Sequence, residues 1–264
     1  MVQKYAEESM DTNPYHMSRI TKLVKGSGDD AEELVFACTG VMCETNLPPI
    51  VRAPSVMVTG LGSASFDNVI AMLQEIKLTA EREFKHGMLD KWTPSTYQGF
   101  PAFTLSNRYF CAMKEGRQHK AVPFNKDVNP VGILQHLGKT DVVHTEDNVV
   151  QYFKAQSNDK GKCRFQCARP QLFRIGDVVK VQCSVIVFKA KGTRHQMKLV
   201  LRAIALLNCD ISLDAKRKLN KLLMVEQSSL RRLKRKIGFA EDEVDEGVAS
   251  KKACDGPTMD ESTG

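Results

Sequence analysis

Alternation of apolar and polar side chains is strongest between residues 178 and 207. Val179, Val181, Cys183, Val185 and Val187 recur at every second position. After a break at Lys191-Gly192-Thr193-Arg194, Met197, Leu199, Leu201, Ala203, Ala205 and Leu207 repeat the same period. Side chains at this spacing share one face of a strand, so the pattern predicts two long strands joined by a tight turn, with one wholly apolar face. The other face then carries Lys180, Gln182, Ser184 and Phe188 beside Lys198, Val200, Arg202 and Ile204, which makes it basic with aromatic and aliphatic spots. Shorter β-prone runs cover 56–59, 149–155 and 163–168.

A helical period appears over 66–86, where Phe66, Val69, Ile70, Leu73, Ile76, Ala80 and Phe84 recur at steps of three and four. Ser65 or Asp67 is placed to cap its start and Gly87 to end it. A second helix is predicted over 213–237 behind Ser212, with Leu219, Leu223, Leu230, Leu233 and Ile237 near one side, interrupted by Glu226. A short helix is expected over 31–37. Pro48, Pro49 and Pro54 exclude helix over 45–55, and repeated Pro and Gly over 93–138 predict loops and short strands. The expected fold is α+β, an antiparallel β-rich core shaped as a small barrel or curved sheet, with the first helix packed on it. The expected organisation is a flexible segment over 1–30, the α+β core over 31–208, a basic amphipathic helix over 212–238 and a disordered acidic tail over 239–264.

Charge sharpens this picture. The chain of 264 residues has a formal charge of +7. Residues 239–264 carry eight carboxylates against Lys251 and Lys252, a net of −6, which leaves +13 on residues 1–238. Such an excess favours polyanionic partners, and an acidic tail competes for the same basic surface. The densest cluster is Arg231, Arg232, Lys234, Arg235 and Lys236, suited to phosphate contact or nuclear import. The amino terminus has no apolar run of the secretory kind, and no stretch is apolar enough to span a membrane. The eight scattered cysteines read as mostly reduced thiols. The expected location is therefore nuclear or cytoplasmic, not secreted, with no membrane partner.

The run Gly176-Asp177-Val178-Val179-Lys180-Val181, the glycine-containing turn and the strand ending Ala203-Ile204-Ala205-Leu206-Leu207 resemble the closing strands of OB-fold single-stranded nucleic-acid-binding proteins. That resemblance implies a small barrel, with basic side chains along a strand's phosphates and bases stacked on aromatics. Lys180, Phe188, Arg194, Lys198 and Arg202 would form this surface, with Tyr152 on a neighbouring strand. The function expected is non-catalytic binding of DNA or RNA with weak sequence selectivity and no cofactor. His144-Thr145-Glu146-Asp147-Asn148 and Phe173-Arg174-Ile175-Gly176-Asp177 also resemble segments of uncharacterised proteins of mushroom-forming fungi.

Two other readings stand beside this one. His144, Glu146 and His195, with Arg202 after them, resemble the two-histidine, one-carboxylate triad of iron(II) oxygenases that use 2-oxoglutarate; that resemblance implies three metal ligands and an arginine on the cosubstrate carboxylate. Alternatively, the leucine seam over 213–237 serves self-association or a protein partner. His144 and Glu146 with Cys163 and Cys167 do not meet the nucleobase-deaminase pattern, because three residues separate the cysteines and Lys162 stands where proline is needed. Gly60-Leu61-Gly62-Ser63 lacks the lysine of a phosphate loop and reads as a strand-to-helix turn.

Overall fold

The alternation over 178–207 folds as a long hairpin, around which the other strands assemble. In the computed structural model, which describes residues 2–4, 20–25, 32–49, 53–113, 120–137, 141–157, 163–190 and 192–229, the strands are β1 (Val2–Lys4), β2 (Ile20–Lys25), β3 (Glu32–Glu33), β4 (Val35–Asn46), β5 (Ser55–Thr59), β6 (Ser95–Tyr97), β7 (Phe100–Ser106), β8 (Cys111–Ala112), β9 (Val142–Val143), β10 (Gln151–Ser157), β11 (Cys163–Cys167), β12 (Val178–Lys189) and β13 (His195–Asn208). The helices are α1 (Ala64–Glu81), α2 (Ile133–Leu137) and α3 (Asp210–Ser229). The chain divides into two units, Met1–Leu219 and Asn220–Gly264, with the boundary inside α3. The fold is a strand-rich α+β arrangement with an open sheet. The cluster Arg231 to Lys236 and the acidic tail lie outside the described residues.

The main sheet runs β11-β10-β13-β12-β4-β5-β7-β6, with β2 also pairing to β12. All of these pairs are antiparallel except β10 with β13. β4 takes the lower half of one edge of β12, Val178 to Ser184, and β2 takes Ile186 to Phe188 further along the same edge. At the far end of the path, Asn107 follows β7 and its side-chain amide donates to the Leu201 carbonyl of β13 at 3.2 Å. That bond draws the β7 end of the sheet toward the hairpin.

Three sequence expectations change. The helix expected over 31–37 is not formed, because Cys38, Gly40 and Met42 are buried at alternate positions of β4. The pairing of β4 with β12 outweighs the helical propensity of Glu32, Glu33 and Ala37. The amino-terminal thirty residues hold β1 and β2, where Pro and Gly punctuation suggested no regular element.

The third change is a bulge. Gln182 stands opposite Ala203 but Cys183 opposite Leu201, so Arg202 is an extra residue on β13. A bulge inverts the alternation beyond it. Met197, Leu199 and Leu201 enter the core as expected, but Ile204 and Leu206 then replace Ala203, Ala205 and Leu207 there. Ile204 therefore does not belong to the outer face.

Helix α1 buries Phe66, Ile70, Leu73 and Ala80, the stripe read from the sequence. Its N-cap is Ser63 rather than Ser65 or Asp67. Phe66 stacks on Phe103 of β7 with ring centroids 5.0 Å apart. A methyl group at Gly60 would lie 2.3 Å from the Phe66 Cβ, so glycine there allows the helix to dock. Leu61 and Gly62 complete the turn with positive φ. This packing accounts for the glycines of the Gly60–Gly62 run.

Asp177, before β12, is fully buried. Its carboxylate accepts from the Arg174 N–H at 2.8 Å and from the Ser212 hydroxyl at 2.5 Å, while the Met42 N–H donates to its backbone carbonyl at 2.9 Å. Asp177 thus ties the start of the hairpin to β4 and to α3.

Candidate nucleic-acid interface

On the outer face of the hairpin, Phe188, Lys198 and Arg202 come together as the sequence suggests. They line a groove of about 210 Å³ with Ile186 and Val200 as its apolar floor. Lys22 from β2, Asn107 and Arg108 from the end of β7, and Asp147 complete its rim. Lys22 reaches the groove because it pairs with Ile186 across the β2–β12 ladder.

The cations differ in what they do. Arg202, with 16% of its side chain exposed, donates from Nε to the Ser184 hydroxyl at 2.8 Å and from Nη1 to the Asp147 carbonyl at 2.6 Å, and its Nη2 pairs with the Glu33 carboxylate. Lys22 donates to both carboxylate oxygens of Asp147, at 3.0 and 3.1 Å, and stands 3.5 Å from Glu33. Burial alone would raise the Glu33 carboxyl, but the hydrogen bond to Ser184 and the charges of Arg202 and Lys22 outweigh it and hold Glu33 below its ordinary value. Arg202 is therefore the centre of a partly buried ion network, and its guanidinium is committed to protein partners.

Lys198 is the contrast. It is half-buried and forms no ion pair among the described residues. Burial and then the charge of Arg108 push its ammonium below the ordinary lysine value. An anion arriving beside Lys198 acts against that pressure, because an opposite charge favours the charged form.

The other expected residues lie elsewhere. Lys180 is eight residues from Phe188 along β12, roughly 26 Å at strand spacing, and faces neither the groove nor its rim. Arg194 lies at the hairpin tip, paired with Asp90. The Asp90 N–H donates to the His195 carbonyl at 2.8 Å, and the His195 N–H to the Met88 carbonyl at 2.7 Å, so the tip is anchored to the segment after α1. Tyr152 is buried rather than on the outer face. Arg231, Arg232, Lys234, Arg235 and Lys236 lie outside the described residues. Lys22, Asn107, Arg108 and Asp147 were not foreseen, since no periodic pattern links four residues from three separate segments.

The iron triad does not assemble. The His144 ring stacks on Phe124 with centroids 3.9 Å apart, whereas His195 opens β13 and its ring lies tilted against Phe84 at 4.6 Å. Glu146 is exposed. Among the described residues no three His, Cys, Asp or Glu side chains are grouped to hold a metal ion. Arg202, the proposed cosubstrate arginine, is held by Glu33 and Asp147.

Next to the groove lies a second cavity of about 400 Å³, and Asn148 borders both. Residues from several segments border it, among them Tyr109, Phe124, His144 and Tyr152. The His144 Nδ1–H donates to the Tyr109 carbonyl at 2.6 Å. Burial, opposed by that hydrogen bond, lowers the His144 pKa from its ordinary 6.5.

No family model matches the chain, and no curated protein matches it. Among solved structures it is similar to the crystal structure of gp2.5, a single-stranded DNA-binding protein encoded by bacteriophage T7, with 14% identity and a TM-score of 0.37 over 66% of this chain and 91% of that one.

Proposed function

We propose that this protein binds single-stranded nucleic acid across the face formed by β2, β12 and β13, without catalysis and with weak sequence selectivity. The observation that carries the reading is the groove in which Lys198 and Arg108 stand beside an apolar floor of Ile186, Phe188 and Val200. Single strands are held by cations that follow the phosphates and by side chains on which bases stack, and the groove presents both in one place. Phosphate contacts do not distinguish sequences, which is why selectivity is weak.

The strand order supports the same reading. β4, β5 and β7 form an antiparallel meander, β12 lies between β4 and β13, and Asn107 links the end of β7 to β13. This order sets β13 beside β12 and brings the Asn107–Arg108 segment to the hairpin, so residues from separate segments meet on one face of the open sheet. The basic run from Arg231 to Lys236 adds sequence-independent phosphate contact and nuclear import to the proposal. The leucines of α3, of which Leu219, Leu222 and Leu223 are exposed, give a surface for a protein partner.

The test is a salt titration of oligonucleotide affinity by fluorescence anisotropy, with single-stranded and duplex probes. Two phosphate contacts to a single strand, from Lys198 and Arg108, give a slope of log K on log salt of about −1.4. Binding that does not respond to salt, or a clear preference for duplex, overturns the proposal.

A further inference from the structure

Strand β11 ends the main sheet with an edge that nothing among the described residues covers. It pairs only with β10, and every residue from Cys163 to Cys167 is exposed. Phe165, at its middle, keeps 49% of its surface in water. Native proteins blunt such edges with short strands, proline, bulges or lysine, because a free edge is a template for another strand. The opposite end of the path follows that rule, since β6 has three residues and directly follows Pro94. β11 does not. Its ladder with β10 runs without a register shift, and it contains neither proline nor lysine.

One hydrogen bond fixes which backbone groups face outward. The Ala168 N–H donates to the Tyr152 carbonyl at 2.9 Å, and the register that pairs Phe153 with Cys167 sets those two residues opposite each other. Hydrogen-bonded and non-hydrogen-bonded pairs alternate along an antiparallel ladder. Arg164 and Gln166 therefore turn their N–H and C=O groups toward β10, whereas Cys163, Phe165 and Cys167 turn theirs to the open edge. The side chains of those same three residues share one face of the strand.

The order Cys163-Arg164-Phe165-Gln166-Cys167 makes this edge its own complement. An antiparallel second copy centred on Phe165 sets Phe165 against Phe165 and Cys163 against Cys167. Arg164 then falls opposite Gln166, so no like charges oppose each other and the guanidinium meets an amide oxygen. A two-fold axis needs a patch that matches itself in this way.

We propose that a second copy of this chain pairs antiparallel with β11, joining two sheets into one across a two-fold axis at Phe165. The outward N–H and C=O groups of Cys163, Phe165 and Cys167 all find partners there, and each Phe165 ring covers part of the other. The proposal is independent of the nucleic-acid reading and of the leucines of α3.

The experiment is sedimentation velocity of the full chain over a concentration series, joined to cross-linking with dibromobimane, a short bis-thiol reagent, in a Cys254→Ser background. A monomer–dimer equilibrium is expected. Phe165→Lys places two like charges opposite each other at an exposed position and is expected to raise the dimer dissociation constant about tenfold or more, with the circular dichroism spectrum retained. Within one chain Cys163 and Cys167 are four positions apart along the strand, about 13 Å, beyond the reach of the reagent. A covalent dimer on a denaturing gel therefore reports contact between copies. Cys163→Ser and Cys167→Ser are each expected to give no covalent dimer alone and to give one when mixed, because each cysteine then meets its opposite in the other variant. This mixing test stands even if Phe165→Lys does not fold. A covalent dimer from either single variant alone overturns the antiparallel register. A monomer at every concentration overturns the proposal, as does a dimer that a folded Phe165→Lys leaves intact.

Discussion

Replacing Arg202 and Lys198 separately by methionine distinguishes the cation that holds the groove from the cation that meets a ligand. Arg202→Met leaves the Glu33 carboxylate partly buried, with Lys22 at 3.5 Å as its remaining cation, and removes the donors to Ser184 and to the Asp147 carbonyl. Removing one partner of a fully buried ion pair costs about 3–5 kcal/mol. Here the Arg202 and Glu33 side chains are 16% and 24% exposed, so solvent screening reduces the cost to about 2–3 kcal/mol. In a domain of this size that is a fall in melting temperature of roughly 4–12 °C. Adding Glu33→Gln to Arg202→Met removes the stranded carboxylate and recovers part of the loss. Lys198→Met has no ion pair to break and relieves a half-buried charge, so its stability stays within about 0.5 kcal/mol of the parent. It loses a phosphate contact, however, and flattens the salt slope of oligonucleotide binding by about 0.7. Thermal unfolding by circular dichroism and anisotropy across a salt series measure both quantities. If Arg202→Met flattened the slope with an unchanged melting temperature, the division of roles between the two cations would be refuted.

Three further outcomes follow from the core and the cysteines. Gly60→Ala drives a methyl group into Phe66, and overpacking of this kind costs about 1–3 kcal/mol, read as a lower urea midpoint at unchanged m-value. Burial pushes the Cys38 thiol up to about 11 and the Cys183 thiol up to about 12, so brief alkylation followed by mass spectrometry labels the exposed Cys163 and Cys167 and spares those two until the protein unfolds. His144 is held below its ordinary 6.5 in the folded state, so the unfolded chain takes up its proton first as pH falls. The stability His144 contributes is full above 6.5 and is lost as pH drops toward the folded value. Glu33, also held low, loses its contribution as pH falls below 4.5. Urea unfolding of His144→Gln lacks the first of these two losses and keeps the second.

The strongest periodicities were legible in the sequence and the local exceptions were not. Period two predicted β12 and β13, and the three-and-four spacing predicted α1, because each buries one face against the same core. The bulge at Arg202 left no mark on the alternation. Ala203 and Ala205 are apolar, as are Ile204 and Leu206, so either pair satisfies the alternation, and the pairing with β12 decides between them. The groove was half legible. Phe188, Lys198 and Arg202 share one strand face and so declare themselves together, whereas Lys22, Arg108 and Asp147 arrive from segments far apart in sequence. That Arg202 is committed depends on Glu33, read from the sequence as part of a helix and found on β3. The cavity beside the groove was illegible for the same reason, since Tyr109, Phe124, His144 and Tyr152 converge only through the loops around β8 and β9.

The central claim is that a strand lies on the β2, β12 and β13 face, and ultraviolet cross-linking of the full chain to oligothymidine, followed by peptide mapping, tests it most directly. The predicted result is cross-linked peptides from the hairpin containing Phe188 and from the segment around Arg108 and Tyr109, lost when salt is raised. Cross-links confined to peptides beyond Leu219, or none at all under conditions where anisotropy reports binding, would contradict it.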